Sequence, residues 1–221
     1  MSNKKHFQIS QQAAEKLAVR FGKPLLVFSL DEIKKNYKVL KKYMPRVKIH
    51  YAIKANPHPE ILRVMADMGS CFDVASDGEI RTMHDMGVDG GRLIYANPVK
   101  TGVGLEACRS CGVRKMTFDS ASEIDKIKKQ CPDATVLLRL RIDNSSAHVD
   151  LNKKFGAARE NALALMQQAK EAGLDMAGIA FHVGSQTVSA DPYLHALDIA
   201  RELVDEAEAA GLNLRILHIG G

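Results

Sequence analysis

The chain has 221 residues, 46% apolar and 26% charged, with a net charge of +5 at pH 7; this is an ordinary globular composition, rich enough in apolar side chain to bury a large core, and it excludes a disordered polymer. No apolar run approaches the roughly 20 residues that cross a bilayer, and residues 1–12 lack the apolar block of a signal peptide, so the expectation is a soluble, cytoplasmic protein without a membrane partner. Four irregularly spaced cysteines, Cys71, Cys108, Cys111 and Cys131, are too few for a disulfide framework and suit a reducing compartment.

Residues 1–24 read as a polar lead-in, and residues 25–221 as one domain. The first apolar run predicts a strand at 25–29. Lys34, Lys35, Lys38, Lys41, Lys42, Arg46 and Lys48 follow, interleaved with Ile33, Tyr37, Leu40 and Tyr43 at helical spacing. That pattern is a solvated helix face above an apolar underside; no aromatic platform accompanies it, so no nucleic-acid partner is expected. Further strands are predicted at 49–55, 71–75, 93–96, 116–119, 135–142, 178–183 and 216–219, with helices between them at 59–68, 76–86, 121–130, 158–172 and 192–210. Gly69, Gly87, Gly112, Gly173 and Gly211 each follow a helical stretch, where a left-handed residue closes the helix.

Apolar strands alternating with amphipathic helices predict a parallel sheet wrapped by helices. Polar residues recur at or just after the C-terminal ends of successive strands. That distribution favours a (β/α)8 TIM-type barrel over a doubly wound sheet, which gathers its site near one switch point. With 25–29 set aside, seven barrel strands are expected, one short of closure; the expected architecture is a truncated barrel.

Within Tyr51-Ala52-Ile53-Lys54-Ala55-Asn56-Pro57, a lysine stands in an otherwise apolar strand. A buried ammonium is costly, so such a lysine either pairs with a carboxylate or sheds its proton, and the neutral amine can then add to a carbonyl. From spacing alone a snorkelling or ion-paired lysine remains open. Cys108 and Cys111 form a C-x-x-C without a second ligand pair, in a predicted helix at 104–111, and no H-E-x-x-H occurs; no metal site is expected. Gly102-Val103-Gly104 lacks the rest of a dinucleotide fingerprint, and Gly90-Gly91 reads as a turn.

The run YAIKANP resembles the cofactor-lysine motif of the fold-type III decarboxylases, which use pyridoxal 5'-phosphate (PLP) on ornithine, lysine, arginine or diaminopimelate. FDVASDGEI at 72–80, IYANPVK at 94–100, TFDSASEIDKI at 117–127, LLRLRI at 137–142, KKFGA at 153–157, FHVGSQ at 181–186 and the closing HIGG follow in the family's order. The resemblance implies that Lys54 carries the cofactor as a Schiff base, that His182 stacks on the pyridine ring, and that Ser185, Gly220 and Gly221 meet the phosphate. Read without it, His182 is a satisfied core histidine and Ser185 a turn or N-cap serine. Asp73, Glu79 and Arg139 correspond to polar residues near the site in relatives, although carboxylates and arginines at strand ends also form rim ion pairs.

By the same resemblance the reaction is decarboxylation of a small basic amino acid. IYANPVK, LLRLRIDNSSAHVDLNKKFG and Gln186 lean towards bacterial enzymes acting on lysine and ornithine, hence putrescine or cadaverine and polyamine biosynthesis. Diaminopimelate decarboxylase is the enzymatic alternative. A catalytically silent homologue that binds a regulator, and a stand-alone PLP barrel, are the others. The resemblance also implies a homodimer of the full-length protein, and it places the protonating cysteine, the acid facing the pyridine nitrogen and the acid reading the distal amine beyond residue 221. These 221 residues alone are therefore expected to have little or no turnover.

Overall fold

The computed structural model describes residues 7–142, 155–185, 187 and 189–220. The chain divides into two compact units, one formed by Met1–Ile49 with Pro57–Ser70 and the other by His50–Asn56 with Cys71–Gly221.

The first unit is helical, with α1 (Gln11–Phe21), α2 (Leu30–Tyr43) and α3 (Pro59–Asp67). Ser10 and Ser29 cap the first two, each hydroxyl accepting a backbone N–H three residues on at 3.2 Å, and Pro59 opens the third, where its missing N–H costs nothing. The unit buries Tyr37, Ile61, Leu62 and Met65. Residues 25–29, expected as a strand, form none: an apolar run becomes a strand only with a ladder partner, and Leu26 is 77% exposed. The basic helix ends at Tyr43, so Arg46 and Lys48 lie beyond it. Its apolar underside is partial: Tyr37 is buried, whereas Tyr43 is 75% exposed.

The second unit is a seven-stranded parallel sheet whose spatial order is its sequence order: β1 (His50–Ala52), β2 (Cys71–Val74), β3 (Leu93–Tyr95), β4 (Lys115–Phe118), β5 (Thr135–Arg139), β6 (Asp175–Ala180) and β7 (Ile216–His218). Helices α4 (Asp77–Asp85), α5 (Gly102–Ser110), α6 (Ala121–Gln130), α7 (Arg159–Glu171) and α8 (Asp191–Ala209) supply the crossovers from β2 onward. Sequential neighbours throughout, with no switch point, are the arrangement of a barrel. The sheet curls accordingly: the rings of His50 in the first strand and His218 in the last meet edge to face, 6.1 Å between centroids. Ile94, Leu137 and Ala180, with Ile216 packed against them, form an apolar cluster inside this sheet.

The five glycine endings share one geometry. Gly69, Gly87, Gly112, Gly173 and Gly211 have φ between 72° and 82°, and the N–H of the next residue returns to the carbonyl five residues back, as from Val88 to Met83 and from Leu174 to Ala169. This is the Schellman closure, and the residue after the glycine, such as Val88, Val113, Leu174 or Leu212, is buried.

Three strands differ from expectation by three residues at an end, and the other four by one. The first strand stops at Ala52 and Ile53–Ala55 forms a 3-10 turn. The fifth stops at Arg139, after which Leu140 bridges to Ala157. The sixth starts at Asp175, because a register shift between Val136 and Leu137 lets the pairing run on to earlier residues. Gly178 has no room for a side chain: a Cβ there would lie 1.8 Å from the Ile216 carbonyl oxygen.

Candidate cofactor site

The 3-10 turn after β1 arises from the motif itself. Ile53 is an anchor only 1% exposed, Tyr51 donates its hydroxyl to the Asn56 carbonyl at 3.1 Å, and Asn56 is extended, as a residue before proline must be. Lys54, between these fixed points, is exposed and lies after the strand, not within it. The expectation of a lysine buried in a strand is thereby corrected. Apolar neighbours in sequence do not bury a side chain that a tight turn aims outward.

The charge that desolvation disturbs at this end of β1 is instead that of the half-buried Asp73. The register sets Asp73 beside Ala52 and Ile94. Burial pushes its carboxyl up to about 6, opposed by the cations of Lys54 and Arg139 and reinforced by Glu79. Glu79 has a structural task of its own: its carboxylate accepts the Ala75 N–H at 2.6 Å, while its N–H donates to Ser76 Oγ at 3.2 Å, fastening the β2–α4 turn. Arg139, at the end of β5, is half-buried between Asp73 and Asp119. Burial pulls its guanidinium below the ordinary value, and the two carboxylates oppose that. Its guanidinium carbon lies 5.5 Å from the centre of the Phe155 ring, and Nη1 reaches the Ala96 carbonyl at 3.5 Å.

His182 follows β6. The Gly184 N–H donates to its Nδ1 at 2.9 Å, so in the neutral ring the proton sits on Nε2 and the ring plane is fixed. Gly184 has φ 113°, and Ser185 stands exposed just after it. Thr187 closes this turn by donating to the Gly184 carbonyl at 3.1 Å. Gly220 follows β7 with φ 68°, and a Cβ there would lie 2.8 Å from the Phe181 oxygen and 3.2 Å from His182 Cα. Gly221, Gln186 and residues 143–154, including Lys153 and Lys154 of KKFGA, lie outside the described residues.

The strand ends thus bring together Lys54, Asp73, Arg139, His182 and Gly220, with Ser185 on the adjoining turn. Sequence reasoning missed His50, Asp119 and the chemistry of His218. Burial first, then the charges of His50, Arg139 and His182, pull the His218 imidazole down to about 4, so it is neutral at working pH. Its position at the end of an apolar strand was the one signal available. Cys108 is buried with its thiol pushed up to about 12, and among the described residues no group of histidines, cysteines and carboxylates could hold a metal.

The donor set suits PLP. An exposed amine stands ready for an aldehyde, a flat imidazole of fixed tautomer offers a stacking face, and a hydroxyl sits in a left-handed glycine turn. Gly220 keeps its backbone close to His182 where a Cβ would intrude. Residues 30–221 match the family described as pyridoxal-dependent decarboxylase, pyridoxal binding domain. The chain belongs to that family. Its cofactor is PLP. The chain is 51% identical over 98% of its length to the lysine/ornithine decarboxylase of Selenomonas ruminantium, of which it covers 55%. It is 36% identical over 86% of its length to antizyme inhibitor 2 of Xenopus laevis, covering 42% of that protein. A crystal structure of the enzyme designated SrLDC, in complex with PLP and cadaverine, superposes with a TM-score of 0.92 at 48% identity, over 98% of this chain and 55% of that one. The chain spans about half the length of the curated relatives it matches.

Proposed function

We propose that this chain is the PLP-binding part of a decarboxylase that acts on lysine and ornithine, releasing CO2 and yielding cadaverine or putrescine. The observation that carries the reading is the convergence of Lys54, His182 and Ser185 at the ends of β1 and β6 in a chain 51% identical to a lysine/ornithine decarboxylase. Bound PLP supplies an electron sink for the pair left when the Cα–carboxylate bond breaks.

Everything else falls to the protein. The Lys54 amine would hold the cofactor through its aldehyde, and the 3-10 turn keeps that amine just after the end of β1. The His182 ring, oriented by the Gly184 N–H, offers a flat face on which an aromatic ring stacks. Ser185 and the backbone of Gly220 would hold the phosphate group. Asp73 holds a negative charge facing Lys54, and with its carboxyl near 6 it exchanges its proton in the working pH range. Arg139 is a cation that interacts with the carboxylates of both Asp73 and Asp119. Full-length protein forms a homodimer on this reading, which sedimentation measures directly.

The experiment is reductive trapping. Full-length protein incubated with PLP should absorb in the visible, borohydride should fix the cofactor to Lys54, and K54A should lose both signals along with amine production from lysine and ornithine. No visible band, or label at another lysine, sinks the reading. Turnover of diaminopimelate but not of lysine or ornithine reassigns the substrate. The similarity to antizyme inhibitor 2 supports a second reading, a binding protein without turnover; retention of Lys54, His182 and Ser185 weighs against it, and cofactor attachment without any amine release favours it.

A further inference from the structure

The motif IYANPVK has a lysine that the cofactor chemistry leaves unused. Lys100 is 1% exposed, and its ammonium is fully engaged. It meets the Glu123 carboxylate at 2.8 Å, the Thr117 carbonyl at 2.5 Å, and the Asn97 and Pro98 carbonyls at 3.2 Å each. Its own N–H donates to Glu123 at 3.1 Å. Glu123 is 3% exposed and also pairs with Lys126. Replacing such a pair with apolar residues often costs nothing in stability, so stability alone is a weak account of it.

The placement of those carbonyls supplies another. Asn97 and Pro98 directly follow Ala96, the carbonyl that Arg139 reaches. Thr117 is two residues before Asp119, whose carboxylate, like that of Asp73, favours the charged guanidinium of Arg139. Asp119 in turn accepts the Gly156 N–H at 2.8 Å, beside Phe155, whose ring faces Arg139. One buried ammonium thus grips the segment after β3 and the end of β4, the two strands on one side of β5, and it is towards that side that the Arg139 guanidinium reaches.

We propose that Lys100 is a positioning residue for the cofactor site: from outside the sheet it fixes the ends of β3 and β4, and through them the guanidinium of Arg139 against Asp73. The inference deepens the proposed function and rests on it for the identity of the ligand. Lys100 touches neither cofactor nor substrate, and its effect passes through Arg139.

The test uses full-length K100M, R139A and the double variant, with PLP affinity read from the visible band and amide hydrogen exchange read without cofactor. K100M should fold, weaken PLP binding by about tenfold, and speed exchange at residues 95–100 and 117–119 while leaving β6 unchanged. In the R139A background the K100M substitution should weaken binding by less than about twofold, because the two act along one path. Binding by folded K100M within about twofold of the parent, or losses that multiply in the double variant, overturn the proposal. Should K100M fail to fold, K100M/E123M removes both buried charges and takes its place, with the same expectation. Loss of fold in that variant too assigns Lys100 to stability alone and overturns the proposal. A parent protein that never binds PLP refutes the functional reading instead, and the exchange pattern still decides whether Lys100 holds the strand ends.

Discussion

Replacing Asp73 by asparagine tests the electrostatics of the site without any cofactor. In the unfolded chain its carboxyl ionises near 3.8, whereas in the native state burial holds it at about 6. Between those values the unfolded chain gives up its proton and the native state keeps it. The native state therefore loses stability as pH rises from about 4 to about 6, and the loss is complete above that window. A shift of roughly two units corresponds to about 3 kcal/mol. Asparagine mimics the neutral acid and carries no such loss. Urea unfolding of the parent and D73N from acid to neutral pH should thus show the variant gaining on the parent by about 3 kcal/mol between pH 4 and pH 7, with a plateau on either side. PLP binding should weaken in the same variant, because Lys54 then faces no carboxylate. A stability difference that is flat across this range, or that falls as pH rises, refutes the claim that burial dominates the Asp73 environment.

His218→Gln probes the opposite sign. The native imidazole is held at about 4 against an ordinary 6.5, so the parent loses stability as pH falls through that interval, by about 3 kcal/mol in all. The variant should unfold at lower pH, and an unchanged acid midpoint argues against it. Gly178→Ala should cost several kcal/mol, roughly 3 or more, because a Cβ 1.8 Å from the Ile216 oxygen forces β6 and β7 apart; thermal unfolding with a Tm near the parent's contradicts the close approach. A maleimide should label Cys111 in the native protein well before Cys108, whose buried thiol is pushed up to about 12. Equal rates at the two positions count against the assigned burial.

Much of the fold is written locally. A helix that must stop needs a residue comfortable at positive φ, and glycine supplies it at all five endings, with an apolar residue next in the chain at four of them, so these endings were visible before any tertiary contact. Period and composition likewise mark the seven sheet strands, and the order of motifs names the family. The failures are as specific. Residues 25–29 have strand composition, but a strand exists only where another supplies its hydrogen bonds, and that partner is a matter of three dimensions.

The sequence by itself marked Lys54, because a lysine among apolar residues is an anomaly that needs no structure to see. It also suggested the wrong environment for it, since exposure depends on a turn held by Ile53, Tyr51 and Asn56 together. Only the tertiary structure decided which group bears the cost of burial, Asp73, and which cations face it, because Lys54 and Arg139 are separated from it by 19 and 66 positions in the chain. The same holds for Lys100, an unremarkable letter in a recognised motif, whose partners at 117 and 123 are brought to it by the packing of β3 and β4 with α6. Backbone propensity acts between neighbours in sequence, whereas desolvation and charge act between neighbours in space.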